Sequence, residues 1–354
     1  MLAVKLKRFK DSAINFLYIY IFDVVTYSIG RILNLWLRKS KKPNSFQSDT
    51  LNQLAQISNS EQLLCKYPHK LGYILNRMTS DQLMIIIDFD LTITRYKDLS
   101  ECANGERIHS CYQVMAAGCD EELPPESRIH AKLRQIHDKY YKFEQCSHLS
   151  SSEKQKLMEE WWLTSNNIII NAKLSADQLT RIVDKNAHKF VLREGIDELF
   201  ELAKSYNFPV HVYSGGFDIF IRKALSNYKD QFGKTVFISA NRFQFNKDNV
   251  LYRFEEPLIY GEKQGLRLQQ LRNDVAWDRK DAIVIGDMVA DSVMADGITC
   301  VENVIKIGVL NDFQKRTDTD SNVKRQYEEN FDLVFCDENN INVVLAVLKY
   351  ILFK

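Results

Sequence analysis

At 354 residues, with 47 Lys and Arg against 46 Asp and Glu and a formal net charge of +1, the chain is long enough for one large domain with an insertion, or for two domains. The near-neutral balance removes the electrostatic case for a nucleic-acid partner or a strongly acidic one. Its 7 cysteines, Cys65, Cys102, Cys111, Cys119, Cys146, Cys300 and Cys336, are odd in number and hold no C-x-x-C pair, which favours reduced thiols facing the cytosol over a disulfide framework or a zinc site.

Residues 1–42 differ from the rest. Lys5, Lys7, Arg8 and Lys10 precede an apolar run from Ile14 to Leu37, and Arg38, Lys39, Lys41 and Lys42 follow it. The run is long enough to span a bilayer, but Asp23 and Arg31 interrupt it, each costly at mid-membrane. A spanning helix, an interfacial helix and an extra helix packed on a soluble body all stay open. No small-residue cleavage site marks a removed signal peptide. Residues 43–82 read as a tether, with Pro43, Asn44 and several serines, followed by leading helices.

The stretch from Met84 to Thr92, MIIIDFDLT, organises the remainder of the chain. Its apolar residues do not alternate, as in a strand covered on both faces of a parallel sheet. Asp88 and Asp90 then stand at its carboxyl end, where open α/β sheets bind ligands. Acids at i and i+2 point the same way, and the backbone carbonyl of the second can reach a cation. One such carboxylate can attack a phosphoryl group to form an acyl phosphate while the other protonates the departing alkoxide. Residues 98–190 carry three helical patterns, from Pro124 to Gln145, Ser151 to Asn171 and Ser175 to Phe190, with Ser151 and Ser175 placed to cap. Such an insertion suits a lid that excludes water and recognises the part of the substrate that is not phosphate. His109, His130, His137 and His148 within it show no ligand spacing.

From Leu192 the α/β rhythm resumes: a helix over LREGIDELFELAKSY, a strand from Pro209 to Gly216, and a helix over 217–228. Strands follow from Thr235 to Ala240 and around Phe243 and Tyr252, with a turn at Asn246 to Asn249. A helix from Lys263 to Leu271, a buried strand from Ala282 to Gly286, a short helix after Asp287, a strand from Val304 to Leu310, and a last strand and helix from Phe331 to Phe353 complete the order. Ser214, ahead of Gly215 and Gly216, sits where backbone N–H groups at a helix N-terminus approach an anion closely. Lys263 offers a fixed ammonium to a transferring phosphoryl group. Asp287 and Asp291, in GDMVAD, straddle a strand end and a first helical turn, and hard oxygen ligands of this kind suit Mg²⁺ rather than zinc.

In order, D-x-D-x-T, S-G-G, Lys and G-D-x-x-x-D resemble the motifs of the haloacid dehalogenase superfamily of phosphatases. From about Leu83 to the C-terminus the chain is similar to the cytosolic pyrimidine 5'-nucleotidase family, whose members act on pyrimidine nucleoside monophosphates and, in one branch, on 7-methylguanosine monophosphate. The resemblance rests on DFDLTITRY (Asp88 to Tyr96), NGERIHSC (Asn104 to Cys111), KYYKFE (Lys139 to Glu144), EEWWLTS (Glu159 to Ser165), LREG (Leu192 to Gly195), EPLIY (Glu256 to Tyr260), GDMVADSVMADG (Gly286 to Gly297) and IKIGVLND (Ile305 to Asp312). It implies a doubly wound, mainly parallel, Rossmann-like α/β core over residues 83–97 and 191–354, a helical cap over 98–190, and a Mg²⁺-dependent 5'-nucleotidase working through an aspartyl-phosphate.

By position the resemblance makes Asp88 the nucleophile and Asp90 the proton donor. Asp88, Asp287 and the Asp90 carbonyl become the metal ligands, with Asp291 as a further acid of the site. Ser214, Gly215 and Lys263 would contact phosphate, and Glu144, Tyr112, Trp162 and Ser165 the base. The chain departs from the family in having S-G-G for the usual S-A-G, GDMVAD for the frequent GDSQGD, a shorter approach to Lys263, and the basic, apolar N-terminus. Two rivals remain: a phosphatase for another small phosphomonoester such as phosphoserine, and a catalytically silent binding module of the same fold. The expected location is the cytoplasm, with residues 14–37 as a candidate membrane tether.

Overall fold

Every side chain from Leu83 to Ile87 is buried in the computed structural model of the protein, as an unbroken apolar run requires of a strand covered on both faces. The structure describes residues 63–98, 106–107, 109–144, 149, 151–260, 263–272, 277–319, 322–336 and 339–354. The apolar run from Ile14 to Leu37 lies outside them. Among the described residues, no helix is long and apolar enough to cross a membrane.

In chain order the elements are β1 (Leu63–Leu64), α1 (Pro68–Arg77), β2 (Leu83–Ile87), the hairpin strands β3 (Lys97–Asp98) and β4 (Glu106–Arg107), and helices α2 (Cys111–Glu122), α3 (Ile129–Glu144), α4 (Ser151–Asn171), α5 (Ala176–Asn186) and α6 (Ile196–Tyr206). Then come β5 (Val210–Phe217), α7 (Asp218–Ala224), β6 (Val236–Asn241), the hairpin β7 (Phe243–Phe245) and β8 (Leu251–Phe254), α8 (Gly265–Leu271), β9 (Asp281–Gly286), β10 (Asn303–Val309), α9 (Phe313–Thr319), α10 (Asn322–Asn330), β11 (Leu333–Phe335) and α11 (Asn342–Phe353).

The main sheet has the order β1-β11-β10-β9-β2-β5-β6. All its pairings are parallel except the short β1 edge, which runs antiparallel to β11. From β2 the chain winds outward through β5 to β6, then returns to β9 on the other side of β2 and winds outward through β10 to β11. The order therefore reverses between β2 and β9, and the crevice at their carboxyl ends is the topological switch point where ligands bind in such sheets. Odd-numbered residues of β2, with partners such as Val212, Ile285 and Ile307, pack on one face against helices including α6 and α11. Met84 and Ile86 pack on the other face with Ala282, Val284, Leu268 and Met294. Burying each such aliphatic side chain contributes roughly 1.5–3 kcal/mol, so the central strands are the rigid part of the scaffold.

Helices α2 to α5 fall between β2 and β5, and the chain leaves and re-enters the sheet side by side: Arg95 N–H donates to Val191 O (2.8 Å) and Arg193 N–H to Ile93 O (2.9 Å). Ser175 caps α5 as expected, accepting from Gln178 N–H at 3.2 Å while Gln178 Oε1 accepts from Ser175 N–H at 2.9 Å.

Several boundaries differ from the sequence-based expectation. Pro124 and Pro125 open a separate 3-10 turn, and α3 starts only after Arg128, whose φ of 46° breaks the helical path. The helix expected from Leu192 starts at Ile196, because Gly195 (φ 94°) turns the chain beneath Leu345 and Ile341. The helix expected over 217–228 is divided into α7 and a 3-10 turn, Ser226–Gln231. Helices α2, α9 and α10 and the β3–β4 hairpin carried no sequence-level signal. The buried positions of α2 include Cys111, Ala116, Gly118 and Cys119, small residues that give little apolar contrast.

Candidate active site

Strand β2 delivers Asp88 to the switch point, and β9, one strand away, delivers Asp287. Gly286 lets the following turn fold tightly: a Cβ there would overlap the Asp291 side chain. Asp291 itself, 1% exposed, accepts a hydrogen bond from Met288 N–H at 2.9 Å and is thereby turned back toward the strand ends. Carboxylate oxygens of Asp88, Asp287 and Asp291 consequently lie within 4.8 Å of one another, all buried. Asp291 stands among the three, closer to the centre of the site than a secondary acid. The Asp90 carboxylate is not one of them.

Lys263 joins this cluster, with Nζ on Asp88 Oδ1 and 2.7 Å from Asp291 Oδ1. It precedes α8 by two residues instead of beginning it. Burial alone would lower the Lys263 pKa, but Asp291 and Asp88 outweigh it and hold the ammonium charged. Burial pushes Asp88 up to about 7, Lys263 pulling the other way and Asp291 and Asp90 adding to the rise. Asp287 is pushed well above the usual carboxylate range, first by burial and then by Asp88 and Asp291. Three crowded acids against one ammonium make a site that a cation relieves, and a donor set of carboxylate oxygens alone fits a hard divalent ion.

Asp90 is partly buried, and burial raises its carboxyl to about 6 against the lowering effects of hydrogen bonds from the Cys111 N–H and thiol and of the Lys263 charge. That bond, Cys111 N–H to Asp90 Oδ1 at 3.0 Å, comes from the first residue of α2. Between the two acids and Thr92, Leu91 adopts φ 63°, a left-handed conformation that costs a branched residue roughly 1–2 kcal/mol. Two buried side chains hold it there. Arg193 and Asn311 donate to the Leu91 carbonyl at 3.0 and 2.9 Å and bond each other at 2.6 Å, while Leu91 N–H donates to Thr94 Oγ1 at 2.7 Å. Thr92 Oγ1 lies 3.4 Å from Asp287 Oδ1, and Tyr327 O–H donates to the Asp287 carbonyl.

Ser214 and Gly215 lie across the crevice in β5. The expected helix N-terminus is absent there: the strand runs on through Phe217 with a register shift after Tyr213, and α7 begins only at Asp218. The backbone donors are presented by an irregular strand end instead, with Ser214 Oγ accepting from Gly216 N–H at 3.0 Å. Asn241, at the end of β6, ties this turn to the loop leading to Lys263, donating to Gly215 O (2.8 Å) and Ile259 O (2.9 Å) and accepting from Ile259 N–H (2.8 Å).

Above the turn, Trp162 of α4 packs on Gly215, its ring 3.6 Å from where a Cβ would stand. Tyr112 of α2 meets Trp162 edge to face, with ring centroids 4.6 Å apart at 73°, and donates its O–H to Asn166 at 2.7 Å. Ser165 is buried one helical turn along α4. The expected base-site residues Tyr112, Trp162 and Ser165 therefore gather beside the expected phosphate turn. A base sandwiched between the two rings needs them about 7 Å apart, two stacking distances, so the rings as they stand form a wall and not a slot. Glu144 ends α3, and its side chain lies outside the described residues.

Sequence reasoning missed Cys111, Asn241, Tyr327 and the roles of Arg193 and Asn311. The last two fall inside LREG and IKIGVLND, but their spacing gives no sign that both reach one carbonyl in a distant loop.

The family model described as "Pyrimidine 5'-nucleotidase (UMPH-1)" matches residues 91–352. The human 7-methylguanosine phosphate-specific 5'-nucleotidase is 28% identical over 287 residues, spanning 78% of this chain and 87% of that protein. A putative cytosolic 5'-nucleotidase 3 of Caenorhabditis elegans is 25% identical over 83% of this chain and 77% of its own length. The crystal structure of cytosolic 5'-nucleotidase IIIB bound to cytidine superposes with a TM-score of 0.66 at 24% identity, covering 83% of this chain and 94% of that one. This likeness bears out the doubly wound, haloacid dehalogenase-like α/β fold read from the motifs. With the family model covering residues 91–352, the chain belongs to the pyrimidine 5'-nucleotidase family.

Proposed function

We propose that the protein is a Mg²⁺-dependent 5'-nucleotidase that hydrolyses nucleoside 5'-monophosphates, pyrimidine or 7-methylguanosine, through a phosphoryl group carried on Asp88. The observation that carries this reading is the buried meeting of Asp88, Asp287, Asp291 and Lys263 at the switch point of the sheet, in a chain of this family. Asp88 attacks phosphorus, and Asp90 gives its proton to the nucleoside oxygen as the P–O bond breaks. Asp90, then a carboxylate, takes a proton from the water that hydrolyses the aspartyl-phosphate. Lys263 neutralises phosphoryl charge, and Ser214 and the Gly215 backbone hold the remaining oxygens. Asp88, Asp287 and the Asp90 carbonyl, with Asp291 beside them, would hold Mg²⁺, which would supply neutralisation of the phosphoryl charge. The silent-module reading finds no missing acid to rest on: all those expected are present in the sequence, and Asp88, Asp287 and Asp291 converge.

Nucleoside choice falls to the helical cap over 98–190, with Glu144, Tyr112, Trp162 and Ser165 as the base site. A base entering beside Gly215 turns Trp162 away from Tyr112 and stacks on the indole. Stacking serves any base, whereas cation–π attraction serves only 7-methylguanine, which is cationic at neutral pH. Trp162→Ala is expected to cost 7-methylguanosine monophosphate more than CMP, by the roughly 0.5–2 kcal/mol of a cation–π contact, read as the ratio of kcat/KM values. Equal losses on the two substrates would remove Trp162 from base selection.

The cytoplasmic protein is tethered, in this reading, to a membrane by residues 14–37. Full-length protein is expected in the membrane fraction, and a chain beginning at Ser45 in the supernatant with its activity kept. Carbonate extraction separates the two modes, since a spanning helix stays in the pellet and an interfacial one is released. Full-length protein found in the supernatant without detergent would leave only a helix packed on the enzyme.

A further inference from the structure

We propose that Cys111 is a positioning residue for the proton donor: its backbone N–H occupies Asp90 Oδ1, which leaves the transferable proton on Oδ2. This rests on the reading of Asp90 as the acid. Cys111 is the first residue of α2, so its N–H has no partner within the helix and is free to donate outward. It donates to Asp90 Oδ1 at 3.0 Å. A proton on Oδ1 would meet that N–H head on, whereas Oδ2 faces the Ser214–Gly216 turn, 3.2 Å from where a Cβ on Gly216 would stand. The same Cβ would lie 2.7 Å from Cys111 Sγ, so the thiol, Gly216 and Asp90 close around one small space. The start of α2 is fixed in turn by Ser110, whose N–H donates to Gln113 Oε1 at 3.0 Å, and by the burial of Cys111, Val114 and Met115.

The contact acts when the proton moves. As the P–O bond breaks, its electron pair goes to the nucleoside oxygen, which takes the proton from Oδ2, and Asp90 becomes a carboxylate. The N–H on Oδ1 then bonds an anion, and such charge-assisted bonds are about twice as strong as neutral ones. The gain is made only along the reaction path, and only where the leaving group needs a proton. Because Cys111 heads the first helix of the inserted segment, seating that segment on the core also aims the acid.

The test compares kcat and KM on CMP and on p-nitrophenyl phosphate, whose leaving group needs no proton. Cys111→Pro removes the N–H and little else of the helix, since proline is tolerated at the first helical position and Ser110, at φ −71° and ψ 164°, already has the conformation a following proline demands. It is expected to lower kcat on CMP on the order of 10- to 100-fold, with KM for CMP and kcat on p-nitrophenyl phosphate held within about 3-fold. Cys111→Ala, which removes the thiol and keeps the N–H, is expected to lose less kcat on CMP than Cys111→Pro, so that the difference between the two variants reads the N–H alone. Should Cys111→Pro fail to fold, Gly216→Ala pushes on the same pair from the other side and is expected to show the same selective loss. Equal losses on both substrates, or an unchanged kcat on CMP, in a protein whose Asp90→Asn variant is selective, would overturn the proposal. An Asp90→Asn variant that loses both substrates equally would instead overturn the acid reading beneath it.

Discussion

Asp88→Asn is expected to lose turnover of CMP and of p-nitrophenyl phosphate alike, each by on the order of 10⁴-fold or more, the scale seen when a catalytic nucleophile is removed. The two losses match because the amide cannot attack phosphorus whatever the leaving group. The side chain keeps its size, so the packing of β2 and the ends of β5 and β9 stays as it is, and near-ultraviolet circular dichroism of the variant should overlay that of the parent. Lys263 retains Asp291 as an anionic partner at 2.7 Å, which keeps its ammonium in place. Turnover of either substrate at a tenth of the parent rate would remove the covalent step.

Asp90→Asn separates the substrates where Asp88→Asn does not. The nucleoside alkoxide is a poor leaving group, so its loss should be in the range of about 10²–10⁴ typical of general acids, while p-nitrophenyl phosphate departs as a stable phenolate and should change little. The protein meets the requirement for a group that can carry a proton near neutrality, because burial lifts the Asp90 carboxyl to about 6. The Asn side chain can still accept from Cys111 N–H, so the geometry of α2 is retained and the difference between substrates reports on the proton. Equal losses would show that Asp90 shapes the site without delivering a proton.

The parts of the fold and site that were legible in the sequence are those set by local interactions. Strand β2 declared itself through the unbroken apolar run from Met84 to Ile87, and the burial of Leu83–Ile87 on both faces agrees. Asp88, Asp287 and Asp291 could be read because each is tied to the carboxyl end of such a strand, and the sheet order brings those ends together. Lys263 sits outside any strong pattern, and its arrival at Asp88 depends on Asn241 pinning the preceding loop to Gly215, a contact between residues 26 apart. The Ser214 turn was legible in composition but not in form: glycines mark a close backbone approach, but they do not say whether a helix or an irregular strand provides it. Helix α2 escaped because four of its buried residues, Cys111, Ala116, Gly118 and Cys119, are small and give little apolar contrast, and with it went the contact of Cys111 with Asp90. Tyr112 and Trp162 could be placed on the cap, but ring orientation is set by tertiary packing, and the two rings meet edge to face with centroids 4.6 Å apart.

The most direct measurement is phosphate release by the full chain with Mg²⁺ from CMP, UMP, 7-methylguanosine monophosphate, AMP, GMP and phosphoserine. CMP, UMP or the methylated nucleotide should lead the series in kcat/KM, with AMP, GMP and phosphoserine well behind, and chelation of the metal should stop release from all of them. Turnover of AMP and phosphoserine as fast as that of CMP, with a ranking that Glu144→Ala does not change, would contradict the nucleotidase account.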